Sequence, residues 1–83
     1  MAKTLFPVTL HLAGGDLRVW AGSSLDINEW GPNSIWATVS TFISGGSINQ
    51  VSTDDGQTVI INWGSVQAVS YSPDDCNQAR PVE

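Results

Sequence analysis

Residues 48–71 read INQVSTDDGQTVIINWGSVQAVSY, and this stretch combines β-branched runs with turn residues. The dipeptide Asp55-Gly56 suits a tight hairpin loop, because aspartate and glycine tolerate the backbone conformations that such loops require. A two-residue loop at this position pairs Thr53 with Thr58, and a Gly-Ser break follows the second strand. The stretch therefore predicts an antiparallel meander of three strands, over residues 48–53, 58–63 and 66–71.

The amino-terminal part of the chain predicts a second hairpin. Apolar and polar residues alternate over residues 5–12, and a loop at Gly14-Gly15 leads into a strand over residues 17–21. With that loop, the cross-strand pairs match in polarity: Leu12 with Leu17, His11 with Arg18, Leu10 with Val19, Thr9 with Trp20 and Val8 with Ala21. Pro7 has no backbone N–H, so it predicts that the first strand starts at a sheet edge.

The segment between the two hairpins predicts a crossover followed by a strand. Residues 22–34 have no sustained periodicity, and Ser24 is a candidate cap for a single helical turn. Residues 35–43 are rich in β-branched side chains and alternate between two faces, which predicts a strand. Residues 44–47, with two adjacent glycines, predict the turn that returns the chain to the meander.

These elements predict an all-β fold of about six strands without a long helix. The expected architecture is a small, strongly bent antiparallel sheet or partial barrel with one irregular crossover. Residues 73–83 are polar and contain two prolines, so they predict a flexible tail after a single small β domain over residues 1–72.

The second half of the chain resembles the ending of Sm-like and other small β-barrel proteins. The resemblance rests on a strand, an Asp-Asp-Gly turn, a strand ending Asn62-Trp63, a short break and then Val66-x-x-Val69. It covers about a third of the chain and implies a small-barrel fold. The basic and Asn-Asp residues of the Sm RNA site have no counterparts in this sequence, so RNA binding is not implied.

The length and the charge of the chain limit the classes of partner that we expect. A chain of 83 residues with 41% apolar residues can build only one thin core, so we expect homo-oligomerisation to bury additional surface. The formal net charge is −5, with Lys3, Arg18 and Arg80 as the only cations besides histidine. Polymeric nucleic acid and anionic membranes require clustered basic residues, so neither is an expected partner.

Nothing in the sequence indicates catalysis, a metal site or a cofactor. His11 is the only histidine and Cys76 the only cysteine, so neither a metal-ligand cluster nor a supported nucleophile–base pair is present. Asp54-Asp55 and the two Gly-Gly pairs are better explained as turn residues than as a carboxylate dyad or phosphate loops. The amino terminus lacks the apolar region of a signal peptide, which predicts an intracellular, cytoplasmic protein.

The aromatic residues provide the candidate binding site. In the predicted hairpin, Trp20 shares a face with Thr9, His11 and Arg18, and Trp36 is expected on a similar polar–aromatic face of the third strand. Tryptophan can stack on a base or sugar ring, arginine can clamp a phosphate, and hydroxyls can fix orientation. Tryptophan and arginine also dominate protein interfaces, so subunit packing is the competing explanation.

Two functional hypotheses follow. In the first, a homo-oligomer encloses a small, nucleotide-like ligand between subunits without catalysing a reaction. A phage protein that sequesters a host nucleotide immune signal would be one example, suggested by the type of protein and not by a motif. In the second, a structural or adaptor protein uses the aromatic face for protein contacts. Carbohydrate binding through exposed tryptophans is a third hypothesis, while Trp63 and Trp30 are expected in the core and the crossover.

Overall fold

The computed structural model describes residues 2–82. The elements are β1 (Thr4–Leu12), β2 (Gly15–Ser23), a 3₁₀ turn (Ile27–Glu29), α1 (Ser34–Gly45), β3 (Ile48–Thr53), β4 (Thr58–Asn62), a second 3₁₀ turn (Trp63–Ser65), β5 (Ala68–Ser70), α2 (Pro73–Asn77) and β6 (Arg80–Pro81). Six strands form one antiparallel sheet in the order β4-β3-β2-β1-β5, and β6 pairs with β1. The predicted all-β fold class is confirmed as a small open sheet with few helices.

The largest departure from the predicted elements is α1. Residues 34–45 form a helix, so the strand expected over residues 35–43 is wrong. Ile35 and Val39 are buried on one side of this helix, four residues apart, as a helical repeat requires. Gly46 ends it with φ 60° and donates to the carbonyls of Ile43 and Phe42, so this glycine is a helix cap.

The core lies between one face of the sheet and α1. Alternate residues of β1 and β2 point into it, including Phe6 and Val8, which are fully buried. Trp63 is also fully buried, and its ring lies 5.2 Å from that of Phe42, as centroids. Trp30 packs on the Phe6 ring at 5.4 Å from the crossover. The predicted positions of these two tryptophans are therefore confirmed.

Both predicted hairpin registers are wrong, for different reasons. β1 and β2 pair Leu12 with Gly15, so the register is shifted by two positions and Thr9 faces Arg18. The Leu12–Gly15 pair leaves residues 13 and 14 as the loop, one residue earlier than predicted, and Gly15 begins β2 with φ 132°. A shift of two keeps every side chain on its predicted face.

The β3–β4 register is shifted by one position. Such a shift moves the side chains of one strand to the opposite face of the sheet relative to those of the other strand. Val51 faces Val59 instead of Ile60. The loop has three residues because only Gly56, with φ 88°, adopts a positive φ, whereas the predicted two-residue loop also needs one at Asp55. The Thr53 N–H instead donates to the Gln57 carbonyl at 2.9 Å.

Gly56→Ala is expected to lower the free energy of unfolding by about 1–2 kcal/mol, because alanine is strained at positive φ. Gly14→Ala is the matched control: both sites leave open space for a Cβ, but only Gly56 has a positive φ. Urea denaturation followed by tryptophan fluorescence measures both changes. Equal effects at the two positions would contradict the assigned loop conformation.

β1 is an interior strand, so its predicted edge position is wrong. One side pairs with β2, while the other pairs with β6 at Thr4 and Leu5 and with β5 from Thr9 to His11. Pro7 lies between these two pairings, where no strand pairs with this side of β1. Its missing N–H therefore costs no hydrogen bond between strands.

The crossover and the carboxyl-terminal segment also differ from prediction. The single helical turn exists, but Asp26, not Ser24, precedes it as the cap residue. Residues 73–82 contain α2 and β6, with Asp75 buried and Ser72 capping α2, so the structure gives them a place in the fold where the sequence predicted a flexible tail beginning at residue 73. Within residues 2–82, neither helix is long and apolar enough to cross a lipid bilayer.

Candidate functional site

Four of the five predicted site residues lie together on the side of the sheet opposite α1. This surface, called the outer face below, is formed by Thr9 and His11 of β1, Arg18 and Trp20 of β2 and Ser70 of β5. The grouping follows from strand alternation, since the neighbouring residues of β1 and β2 point into the core.

Arg18 is held by a carboxylate from the carboxyl-terminal segment. Its Nη2 lies 2.6 Å from Asp75 Oδ1 and its Nη1 3.2 Å from Asp75 Oδ2, and Nη1 also donates to Thr9 Oγ1 at 3.4 Å. The Arg18 side chain is 35% exposed and that of Asp75 10%. The hydrogen bond from Arg18 holds the pKa of Asp75 below its usual range, and the same bond raises the pKa of Arg18. The guanidinium therefore makes a two-point clamp on a carboxylate.

Trp20 is also partnered within the chain. Its Nε1 donates to Asp54 Oδ1 at 2.8 Å, which anchors the indole to the β3–β4 loop. The guanidinium carbon of Arg80 lies 4.5 Å from the centre of the ring, within cation–π distance. Arg80 belongs to β6, so it reaches across β1 to cover Trp20.

His11 lies at the opposite end of the outer face, between two hydrogen-bond partners. Nδ1 is 2.8 Å from Asp16 Oδ1, and Nε2 is 2.9 Å from Ser70 Oγ. These contacts fix the imidazole ring in one orientation. Among residues 2–82, no group of three or more His, Cys, Asp or Glu side chains has the arrangement of a metal site.

Trp36, the fifth predicted residue, is not part of the outer face. It lies on α1, which packs against the other side of the sheet, and the residue is 65% exposed. The predicted place on a sheet face is wrong because residues 35–43 form a helix and not the strand that their alternation predicts.

Sequence reasoning missed the residues that complete the outer face. Asp75 and Arg80 belong to the segment for which the sequence predicts a tail, and the sequence around Asp54 indicates only a turn. Arg18 and Asp75 are 57 positions apart in the sequence, so no local pattern pairs them. The one available signal was Ser72-Pro73 with Asp75 three residues after the serine, a helix-start pattern that would have placed these residues in an ordered element.

A groove of about 500 Å³ lies on the other side of the sheet, between α1 and strands β2 and β3. Its polar groups are largely engaged within the chain: Ser23 Oγ lies 3.1 Å from Thr38 Oγ1, and Thr41 Oγ1 donates to the Ala37 carbonyl at 3.0 Å. A second cleft of about 410 Å³, beside α2, is lined in part by Trp30, Pro32 and Tyr71. Neither brings charged and aromatic groups together as the outer face does.

Comparison with known proteins gives no match, whether by family model, by sequence against curated proteins or by structure against solved folds. The resemblance to Sm-like proteins therefore stays a prediction. The outer face itself is the basis for the functional proposal.

Proposed function

We propose that this protein is a non-catalytic, homo-oligomeric binding module whose outer face takes a small, planar, anionic ligand of the nucleotide class. One observation carries the proposal: Arg18, Arg80 and Trp20 lie on one surface of a chain that has only 3 Lys and Arg residues. A cationic and aromatic cluster in so acidic a chain matches the two ends of a nucleotide, a phosphate and a base.

The Arg18–Asp75 pair indicates where the phosphate would bind. A guanidinium presents two parallel N–H groups, and a carboxylate and a phosphate offer similarly spaced oxygens. Asp75 already occupies this fork, with contacts of 2.6 and 3.2 Å. An anionic ligand would replace Asp75 or bind beside it, so the carboxyl-terminal segment would compete with the ligand for Arg18.

Trp20 indicates where the base would stack. The planar guanidinium of Arg80 now lies over its ring at 4.5 Å, and a nucleobase is a planar group that can take the same position. Arg80 would then be free to contact the ligand phosphate. The bond from Trp20 Nε1 to Asp54 keeps the indole oriented during this exchange.

Trp20→Ala is expected to weaken nucleotide binding by about 10- to 100-fold, since base–aromatic stacking contributes about 1–3 kcal/mol. Arg18→Lys is expected to weaken it as well, because lysine keeps the charge but loses the two-point fork. Isothermal titration with a panel of mono-, di- and cyclic nucleotides measures both effects.

Trp36→Ala serves as the matched control, because it removes the same side chain from α1, away from the outer face. Wild-type protein that binds no nucleotide in the panel, or binding that Trp20→Ala leaves unchanged, would overturn the ligand assignment. Native mass spectrometry of freshly purified protein provides an independent check for a co-purified small molecule.

A structural or adaptor role is the second candidate, and a different observation favours it. Arg18 and Trp20 already have partners within the chain, whereas several large apolar side chains are exposed, including Trp36 at 65% and Ile60 at 68%. In that role Trp36→Ala would disrupt assembly and nucleotides would not bind. The same panel of variants therefore separates the two candidates.

A further inference from the structure

β4 is a terminal strand of the open sheet, and its outer edge has no partner strand within residues 2–82. Edge strands in soluble proteins are usually blocked by charged residues, by proline, by a bulge or by a covering element. The β4 sequence TVIIN contains neither a charge nor a proline. Ile60 at its centre is 68% exposed. This edge therefore has the properties of a pairing surface.

The hydrogen bonds to β3 show which backbone groups of β4 are free. Trp63 N–H donates to the Ser47 carbonyl, and the Gln57 carbonyl accepts from Thr53 N–H, so the odd-numbered residues of this strand face β3. Backbone groups alternate between the two edges of a strand. Thr58, Ile60 and Asn62 consequently direct their N–H and C=O groups toward the free edge.

The three free residues are spaced symmetrically about Ile60. We infer that β4 pairs antiparallel with β4 of a second copy of this chain, with the two-fold axis at Ile60. In this register Ile60 faces Ile60 of the other copy, and Thr58 faces Asn62. Every free N–H and C=O of the three residues then has a partner, and the two sheets become one continuous sheet.

Charge selects the antiparallel orientation. Asp54 and Asp55 lie in the loop before β4, and Asp55 is about 16 Å along the strand from Ile60 at roughly 3.3 Å per residue. In the antiparallel dimer the two acidic loops lie at opposite ends, about 30 Å apart and well beyond the Debye length of about 8–10 Å. A parallel arrangement would place the two acidic loops side by side, where their like charges would repel each other.

The pairing deepens the homo-oligomeric part of the proposed function by specifying the partner and the surface. It does not depend on the ligand, because β4 and the Arg18–Trp20 cluster are separated by β3. A failure to bind nucleotides would therefore leave the dimer unaffected.

Ile60→Lys tests the pairing by placing two like charges directly opposite each other at the axis. The side chain is exposed, so the monomer fold is expected to be retained, which circular dichroism verifies. Sedimentation equilibrium over a concentration range up to about 0.5 mM should show wild type at twice the chain mass of 8.9 kDa. The variant should dissociate with a Kd raised at least about tenfold.

Ile48→Lys is the matched control. Ile48 is 67% exposed, nearly the same as Ile60, but it lies on β3 opposite Asn62 and therefore not on the free edge of β4. Dissociation by Ile60→Lys alone supports the inference. An oligomer that Ile60→Lys leaves intact, or one that both variants disrupt equally, overturns it without removing the homo-oligomeric proposal. A wild-type monomer at every concentration overturns both.

Discussion

Trp63→Ala is expected to lower the free energy of unfolding by about 4 kcal/mol, the largest single-residue effect that we predict in this protein. The Trp63 side chain is fully buried and packs on the Phe42 ring between α1 and the sheet. The Asn49 amide, oriented with its oxygen toward the indole, accepts from Trp63 Nε1 at 3.1 Å. Truncation removes these contacts and leaves a cavity that so small a core can only partly fill.

This loss is large relative to the total free energy of unfolding of the protein. Domains of this size have a free energy of unfolding of roughly 4–12 kcal/mol. Trp63→Ala is therefore expected to lose between about a third and all of the stability of the fold, and to unfold at a much lower temperature than wild type. Thermal unfolding monitored by far-ultraviolet circular dichroism measures the effect, because that signal does not depend on the removed tryptophan.

Trp36→Ala provides the control for the same chemical change. Trp36 is 65% exposed on α1, so its removal is expected to change the free energy of unfolding by no more than about 0.5 kcal/mol. Comparable destabilisation by the two substitutions would mean that α1 does not present Trp36 to solvent. It would also contradict the assignment of residues 34–45 to a helix.

The error at α1 shows a limit of periodicity as a signal. Residues 35–43 contain β-branched side chains that alternate, which indicates a strand. The same residues place Ile35, Val39 and Phe42 at helical spacing, and a short apolar run fits both patterns. The choice depends on tertiary packing: the Gly46 cap and the contact of Phe42 with Trp63 both favour the helix.

The two hairpins show why a small register error can have unequal consequences. The two-position error at β1–β2 kept Thr9, His11, Arg18 and Trp20 on one face, so the shared face of these four residues was predicted correctly. The one-position error at β3–β4 placed Ile60 opposite Val51 on a shared face. The predicted meander also placed the strand over residues 66–71 beside β4, whereas β5 pairs with β1, so the free edge at Ile60 could not be recognised from the sequence.

The contact partners of the site residues could not be predicted from the sequence, for a different reason. Asp75 and Arg80 contact β2 residues that are more than 50 positions away in the chain. Nothing local in a polar, proline-containing segment indicates such a contact. The capping pattern at Ser72 predicts an ordered turn, but it does not predict where that turn packs.

Asp75→Asn is expected to destabilise the fold by about 2 kcal/mol near pH 7, the second-largest stability effect that we predict. The substitution retains the shape of the side chain but removes the charge, so the partly buried Arg18 loses its ionic partner. Asp74→Asn is the control, because Asp74 is an exposed neighbour in the same first turn of α2. Urea denaturation of the three proteins gives the two differences.

The pH dependence identifies the charge as the cause. The hydrogen bond from Arg18 lowers the pKa of Asp75 in the folded state, so the ionised carboxylate stabilises the fold above its unfolded pKa of about 3.9. That stabilisation is lost as the pH falls through the lower folded pKa. The difference between wild type and Asp75→Asn should therefore be full above about pH 5 and shrink in more acidic solution.

Asp55 has its pKa lowered by a hydrogen bond from Thr53, so it also contributes to acid sensitivity. It is present in both proteins, and its contribution cancels in the difference between wild type and Asp75→Asn. A difference that stays constant from pH 7 to pH 3 would mean that the charge of Asp75 does not stabilise the fold, either through Arg18 or through the Ser72 N–H. In that case Arg18 would be held loosely enough for an external anion to take it without competition.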